Sequence, residues 1–205
     1  MAALDAALKG RIGKSPGAQP DHPQIETLTS LLDAATQDGT EFQDVLRATS
    51  AAAQWYPCYE READANHPSA ELVDGLFAAQ VVGPHGLIKS DALIAGYFLI
   101  GPNVSYPLHE HLAEELYYVL SGDLQVHHGF DGPLQTIEPG RYSITPSGMP
   151  HRLNTGSEAV LMLYIWTGTV ACDVWWWEHV ADEQWRRFVP PRTSAPRMRQ
   201  GTSQS

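Results

Sequence analysis

Two histidines and a glutamate occur within seven residues, at His109, His111 and Glu115, and this cluster constrains the fold more than any other feature. Side chains at positions i and i+2 of a β-strand point to one face, so the two histidines share a side and Glu115 keeps the same parity. His151 follows downstream, after a Pro-Ser-Gly turn signal. The spacing therefore predicts a strand-borne site where these side chains could hold a metal ion.

Neutral imidazoles and a carboxylate are the ligands that divalent zinc, iron, manganese, cobalt and nickel accept in sites with open coordination positions. We expect one divalent metal ion, with zinc or iron(II) favoured and manganese, cobalt or nickel also compatible. The alternative is a barrel whose polar residues merely line a wet mouth. A single histidine would favour that alternative, whereas the close grouping of two histidines and a glutamate favours a metal.

The segment around this cluster resembles the first sequence motif of the cupin superfamily. Residues 101–122 contain His-x-His, three residues, a glutamate and then six residues before Gly122. One spacing departs from the motif, because seven residues rather than five separate Gly101 from His109. The departure does not involve a predicted ligand.

Residues 140–151 resemble the second cupin motif. Gly140 stands five residues before the Pro-Ser-Gly turn, and two residues separate that turn from His151. Here Asn154 follows His151 one residue earlier than in the motif. Together the two resemblances imply a cupin barrel with a metal bound by His109, His111, Glu115 and His151.

A narrower resemblance extends the first motif. The pattern continues from the glutamate to Tyr117, Tyr106 precedes the first histidine by three residues, and Trp166 lies on the predicted strand after the second motif. These positions, the chain length and a helical N-terminal extension resemble the bacterial cupin-type dimethylsulfoniopropionate lyases. The resemblance implies a carbon-sulfur lyase that cleaves a small molecule, dimethylsulfoniopropionate, to acrylate and dimethyl sulfide.

Parity assigns Tyr117 to the metal-bearing face, two residues beyond Glu115. A nearby divalent cation would lower its pKa from about 10, so Tyr117 could be the base that initiates β-elimination. The alternative is a core tyrosine whose hydroxyl reaches water. Tyr106 cannot be placed by parity, because Pro107 interrupts the strand register. By resemblance, Tyr106 is a second catalytic candidate, and Tyr106 and Trp166 would form an aromatic wall that binds the sulfonium cation.

Two other classes of function fit the same ligand pattern. Another metal-dependent cupin enzyme, such as a dioxygenase or a sugar isomerase, needs these ligands without an essential Tyr117. A non-enzymatic cupin could instead bind or store a small molecule. Oxygen consumption would mark a dioxygenase, and metal content would argue against simple storage.

The pattern along the chain predicts three parts. Residues 1–70 are expected to form a helical extension packed on the barrel, with one helix from Ile25 onward and a second capped by Thr40. Residues 71–189 are expected to form the barrel, a mainly β cupin double-stranded β-helix, or jelly roll. Residues 190–205 have almost nothing to bury and are expected to be a disordered tail.

Short apolar runs separated by turn residues predict the strands of the barrel. The predicted strands are 76–82, 93–100, 115–120, 124–127, 142–145, 160–166 and 169–175. In the run of three tryptophans at 175–177, neighbouring rings must face opposite sides of a strand. Trp55, Tyr56 and Tyr59 could close over the barrel mouth or belong to the core, and the sequence leaves both options open.

Charge and hydropathy narrow the range of partners. Thirteen Lys and Arg stand against 24 Asp and Glu, and the formal net charge of −11 argues against a nucleic-acid partner. No run approaches the roughly 20 apolar residues of a membrane helix, and the first residues lack the apolar core of a secretory signal. We therefore expect a cytoplasmic protein with no membrane contact, and leave open whether it is a homo-oligomer. Cys58 and Cys172 are expected to be free thiols.

Overall fold

A computed structural model describes residues 41–59, 69–181 and 184–190 of the 205-residue chain. The helices in these ranges are α1 (Glu41–Ala52) and α2 (Ala70–Gly75). The strands are β1 (Trp55–Pro57), β2 (Leu76–Val82), β3 (Ile94–Ile100), β4 (Ser105–His111), β5 (Ala113–Ser121), β6 (Leu124–His128), β7 (Leu134–Ile137), β8 (Tyr142–Thr145), β9 (His151–Thr155), β10 (Val160–Gly168), β11 (Val174–Ala181) and β12 (Gln184–Phe188). The helix predicted from Ile25 and most of the predicted tail lie outside the described residues.

The strands form two six-stranded sheets whose pairings are all antiparallel. The first sheet has the order β1-β2-β3-β10-β5-β8, and the second has the order β12-β11-β4-β9-β6-β7. The chain passes from one sheet to the other at seven connections: β3–β4, β4–β5, β5–β6, β7–β8, β8–β9, β9–β10 and β10–β11. Such crossings between two face-packed sheets define a jelly roll. The predicted mainly β jelly-roll barrel is therefore confirmed.

Most strands that contain an apolar run were predicted from the sequence. The strands that were missed or misplaced show why the hydrophobic pattern alone does not find every strand. The predicted strands 76–82 and 142–145 agree with β2 and β8 at both ends. The strand predicted at 169–175 is wrong, because residues 169–173 form a bent connection and β11 begins at Val174. β7 and β12 are mostly exposed and lack an apolar run, so no hydrophobic signal identifies them.

Buried apolar side chains form two clusters on opposite faces of the first sheet. On β3, Ile94, Phe98 and Ile100 belong to one, and Tyr97 and Leu99 to the other, as strand alternation requires. The inner cluster lies between the two sheets and also contains residues of β4, β5, β6, β9, β10 and β11. The outer cluster comprises Leu46, Ala53, Trp55, Phe77, Ala79, Tyr97, Leu99, Ala159 and Leu161. Because it includes Leu46, the outer cluster joins α1 to the sheet.

The residues from His109 to Glu115 lie on two strands rather than the single strand that parity assumed. β4 ends at His111 in the second sheet, and β5 begins at Ala113 in the first sheet, so the chain crosses at Leu112. The predicted common side is nevertheless retained, since His109, His111 and Glu115 all line the same cavity. Both sheets present these side chains to the space between them.

The Pro-Ser-Gly turn of the second motif is bonded to this crossing. Ser147 Oγ donates to the Leu112 carbonyl at 2.7 Å, and the Gly148 amide donates to the His111 carbonyl at 2.9 Å. Gly148 has a φ of 69°, a conformation that glycine adopts without steric cost. These bonds hold the start of β9, and with it His151, beside His111.

Among the described residues, no helix is long and apolar enough to cross a membrane.

Candidate functional site

Imidazole and carboxylate groups from three strands meet between the sheets. His111 on β4, Glu115 on β5 and His151 on β9 offer ligand atoms that all lie within 4.8 Å of one another. Nε2 of His111 lies 2.8 Å from Oε2 of Glu115, and Nε2 of His151 lies 3.4 Å from the same oxygen. His109 stands outside this group of three, although its ring centroid is 4.0 Å from that of His151. The four predicted ligands thus lie together in the barrel interior.

A backbone carbonyl holds the ring of each of the three histidines. The Nδ1 atoms of His109, His111 and His151 lie 2.7, 2.9 and 3.0 Å from the carbonyl oxygens of Pro107, Ala113 and Met149. A carbonyl oxygen only accepts hydrogen bonds, so each Nδ1 must carry a proton and donate it. In a neutral ring the other nitrogen, Nε2, is then a lone-pair acceptor.

The Nε2 lone pairs of His151 and His111 lack protein donors within the described part of the chain, and this lack fits a bound metal ion. Nε2 of His151 is completely buried and has no hydrogen-bond partner among the described residues. The Nε2 lone pair of His111 faces a carboxylate oxygen of Glu115, so a proton or a cation is needed between the two atoms. An orphaned buried nitrogen beside a carboxylate is the donor set that divalent metals take.

The electrostatics of the cluster agree with that donor set. Burial alone would raise the pKa of Glu115, but its interactions with the nearby His111 and His151 outweigh burial and lower the pKa far below its usual value. Burial lowers the pKa of His109 well below its ordinary value, and its neighbours His151 and His111 lower it further. An ionised carboxylate and a neutral imidazole are the forms that bind metals.

A cavity of about 370 Å³ opens onto this cluster. His109, His111 and Glu115 form part of its wall. Six aromatic side chains also line it: Tyr56, Phe98, Tyr106, Tyr117, Tyr164 and Trp166. Cys58 and Cys172 also line the cavity, and as expected they do not form a disulfide with each other. The cavity therefore combines one carboxylate and three imidazoles, those of His85, His109 and His111, with six aromatic side chains.

Tyr117 lies where its parity predicted, on the wall of this cavity and 2 % exposed. Its ring stacks on Phe98 with centroids 6.1 Å apart. Burial raises the pKa of Tyr117 well above its usual value, and the negative charge of Glu115 raises it further. With the protein groups alone, Tyr117 is a neutral phenol, so a phenolate requires a positive charge beside it.

Trp166 and Tyr106 each contact a predicted ligand. Nε1 of Trp166 donates to Oε1 of Glu115 at 2.7 Å, and its ring centroid lies 4.3 Å from that of His111. Tyr106 stacks on His109, with ring centroids 3.9 Å apart. A register shift in the β4–β9 pairing falls between Tyr106 and His109, at the predicted interruption, and lets both side chains point inward.

Sequence reasoning did not identify Tyr56, Phe98 and Tyr164 as cavity residues. Tyr164 could have been found, since it lies two residues before Trp166 on β10 and shares its parity. Phe98 carries no sequence signal beyond its place on an apolar strand. Tyr56 belongs to the aromatic group left undecided between barrel mouth and core, and here Tyr56 lines the cavity while Trp55 lies in the outer cluster.

Comparison with known proteins identifies relatives of this chain. A model of the family described as dimethylsulfoniopropionate lyase matches residues 3–163. The dimethylsulfoniopropionate lyase DddQ of Ruegeria pomeroyi is 29% identical over 147 residues, which cover 71% of this chain and 70% of that protein.

Two crystal structures of such lyases resemble this chain. One is that of DddQ from Ruegeria pomeroyi, with a TM-score of 0.56, 23% identity and coverage of 84% of this chain and 95% of that one. The other comes from the crystal structures of RdDddP and RnDddQII, with a TM-score of 0.56, 23% identity and coverage of 84% and 96%. At these identities the two structures show a shared fold.

Proposed function

Because this chain belongs to the dimethylsulfoniopropionate lyase family, a family of carbon-sulfur lyases, we propose that it cleaves dimethylsulfoniopropionate to acrylate and dimethyl sulfide with the help of a metal ion. The observation that carries the proposal is the cavity in which an aromatic lining surrounds a buried His and Glu cluster. The proposed substrate has one cationic sulfonium and one carboxylate. Aromatic faces attract cations, and a metal site attracts carboxylates.

His109, His111, Glu115 and His151 are the proposed ligands of one divalent metal ion, with zinc or iron(II) favoured. The orphaned Nε2 of His151 and the Nε2 of His111 that faces the Glu115 carboxylate support this assignment. A bound divalent ion supplies a Lewis acid that stabilises negative charge on a substrate carboxylate. The three Nδ1 bonds to backbone carbonyls orient the imidazoles, a device common around metal ligands.

Tyr117 is the proposed base. Its oxygen would take the proton from the carbon next to the substrate carboxylate, and the electrons of that C–H bond would form the double bond of acrylate. The C–S bond then breaks, and its electron pair leaves with dimethyl sulfide. The thioether departs as a neutral molecule, so the reaction needs no general acid. A neighbouring cation would lower the raised pKa of Tyr117 toward the range of a working base.

Trp166 and Tyr106 are the proposed substrate-binding residues, with Tyr106 also the second candidate for the base. Both line the cavity, together with Phe98 and Tyr164. Cation–π attraction contributes roughly 0.5 to 2 kcal/mol or more when the cation is desolvated. Several rings around one small cavity would therefore favour a sulfonium over a neutral thioether.

The direct test is headspace detection of dimethyl sulfide from the purified, metal-loaded chain, with acrylate measured in solution. The proposal predicts equimolar release of the two products and a large loss of activity after chelation. Oxygen consumption without dimethyl sulfide release would indicate a dioxygenase rather than a lyase. Binding of the substrate without any product would indicate a storage role.

A further inference from the structure

A cysteine side chain shares the cavity with the proposed base. Cys58 directly follows β1, and its backbone amide donates to the Leu76 carbonyl at 3.0 Å, just beyond the last residue pair of β1 and β2. Side chains two residues apart on an extended chain share a face, and both Tyr56 and Cys58 line the cavity. Trp55, of the opposite parity, lies in the outer cluster. The pairing with β2 therefore places the buried Cys58 on the cavity wall.

The neighbours of Cys58 place it on the aromatic side of the cavity. Cys58 belongs to the inner cluster together with Tyr117, Tyr164 and Phe98. Burial raises the pKa of Tyr117 and Tyr164 most, and the negative charge that Cys58 carries as a thiolate raises both pKa values further. Electrostatic interactions weaken with distance, so the sulfur lies near both phenols. One of these phenols is the proposed base, and the other belongs to the rings that line the cavity.

The proposed reaction releases an electrophile in this cavity. The double bond of acrylate is conjugated with its carboxylate, so the β-carbon accepts electrons from a nucleophile, most readily when a cation holds the carboxylate. A cysteine sulfur is a strong nucleophile once it has lost its proton. The group that leaves the β-carbon is itself a thioether, so the cavity already accommodates a sulfur atom beside that carbon.

We propose that Cys58 is a modification site at which acrylate forms a covalent adduct that inactivates the enzyme. The inference rests on the proposed function, which supplies acrylate as the product. The sulfur of Cys58 forms a bond to the β-carbon, and the electron pair of the double bond moves to the α-carbon. That carbon takes a proton from the Tyr117 oxygen, which in turn accepts the proton of the thiol. No oxidant, reductant or further reactant is needed.

The size of the cavity explains why the adduct inactivates. The adduct adds a three-carbon acid to the wall of a cavity of about 370 Å³, which the substrate also has to enter. Cys172 offers an internal comparison, because it lines the same cavity but lies in the bent connection between β10 and β11 and is only half-buried. The inference therefore predicts modification of one of the two cysteines, Cys58.

The test incubates the metal-loaded full chain with acrylate and locates the adduct by peptide mass spectrometry. One acrylic acid should be added per chain, and Cys58 should react at least roughly tenfold faster than Cys172, because a nucleophile positioned at its target gains the advantage of proximity. Propionate has the same carboxylate without the double bond, so it should slow the modification of Cys58 and leave that of Cys172 unchanged. The absence of an adduct, equal rates at the two cysteines, or no protection by propionate would overturn the inference.

Two matched variants test whether the adduct causes inactivation. During turnover of dimethylsulfoniopropionate, the rate of the parent protein should decline in step with the modified fraction of Cys58. Cys58→Ala should retain a steady rate relative to its own initial rate, whereas Cys172→Ala should decline as the parent does. An equally fast decline in Cys58→Ala would overturn the inference. If that variant does not fold, the comparison of activity with the modified fraction in the parent decides.

The acrylate assay needs no turnover, so the inference and the proposed function fail separately. An adduct on Cys58 from added acrylate, without any release of dimethyl sulfide from the substrate, would contradict the lyase assignment alone. Sustained release of dimethyl sulfide with unmodified Cys58 would contradict the modification site alone.

Discussion

The inner and outer clusters share the first sheet but differ in how they treat buried polar groups. At the outer cluster, the Tyr97 hydroxyl donates to the Leu46 carbonyl at 3.1 Å and also bonds the Thr49 hydroxyl. The inner cluster encloses three histidines and a glutamate, and Nε2 of His151 has no hydrogen-bond partner among the described residues. The outer cluster is therefore internally satisfied, whereas the inner one is not.

From this difference we infer that the outer cluster serves stability and that the inner cluster serves the proposed metal ion and substrate. Leaving a buried polar group without a hydrogen bond costs about 1 to 3 kcal/mol, and nothing in a jelly roll requires that cost. The outer cluster could be rebuilt from other apolar residues with little consequence for chemistry. The inner cluster retains polar groups whose lone pairs only a proton or a cation would satisfy. The following changes test that contrast, from the largest expected effect to the smallest.

Replacing His151 with Ala should have the largest effect on activity. The change removes one proposed metal ligand, so metal content should fall well below one per chain, and His111→Ala should act in the same way. Lyase activity should fall by more than the roughly 100-fold that a lost outer-shell partner of a metal can cost. Elemental analysis and dimethyl sulfide release measure the two effects.

The matched change in the outer cluster is Leu161→Ala. It should lower the free energy of unfolding by about 2 to 5 kcal/mol and leave the turnover of the folded, metal-loaded protein intact. Full metal occupancy in both His151→Ala and His111→Ala would contradict the view that the inner cluster binds a metal whereas the outer cluster only stabilises the fold.

Tyr117→Phe should separate chemistry from metal binding. The variant keeps the ring that stacks on Phe98 and removes only the oxygen that ionises. Turnover should fall by at least roughly 100-fold, the usual cost of losing a general base, with metal content unchanged. Near-normal turnover would exclude Tyr117 as the base, and Tyr106→Phe would then be the variant to measure.

The ring of Trp166 and its hydrogen bond to Glu115 have different proposed roles, and two substitutions can separate them. Trp166→Ala removes the ring, and should narrow the affinity gap between dimethylsulfoniopropionate and neutral methylthiopropionate by about two- to thirtyfold. Trp166→Phe keeps a ring and loses the bond to Glu115, so the gap should persist while metal affinity falls roughly 10- to 100-fold. Competition assays and metal titrations measure these effects. A gap that Trp166→Ala leaves unchanged would indicate that other rings hold the cation.

The fold and the proposed ligands were predictable because their signals are local. The two motifs contain His109, His111, Glu115 and His151, and the turn before His151 is visible as Pro-Ser-Gly. Parity gave the right face for Tyr117 even though the chain changes sheets at Leu112. The inward direction survives because the two sheets of a jelly roll face each other.

The remaining features depend on contacts between residues far apart in the chain. The buried hydrogen bonds that link Tyr59 to Trp176 and to Tyr106 join three separate segments, and no spacing rule connects them. The outward or inward role of Trp55, Tyr56 and Tyr59 could not be decided either, because it depends on how β1 pairs with β2. The domain boundaries, the cytoplasmic location and the oligomeric state stay predictions.

Tyr97→Phe should have the smallest effect, confined to stability at high pH. Burial raises the pKa of Tyr97 to about 12, while its bond to Thr49 offsets part of that rise. Between pH 10 and 12 the unfolded chain therefore loses this proton while the folded chain keeps it. The contribution of Tyr97 to stability is complete below about pH 10, and it is lost as the pH rises toward 12.

The variant lacks this titration, so its free energy of unfolding should fall less steeply above pH 10. It should be less stable than the parent by about 1 kcal/mol at pH 8, through the lost hydrogen bond, and about equally stable near pH 11. Urea denaturation at several pH values measures both. Some alkaline loss should remain, because burial also raises the pKa of Tyr117 and Tyr164 in the inner cluster. Parallel curves for variant and parent would mean that the inner cluster alone causes the alkaline loss, and that the outer cluster does not titrate.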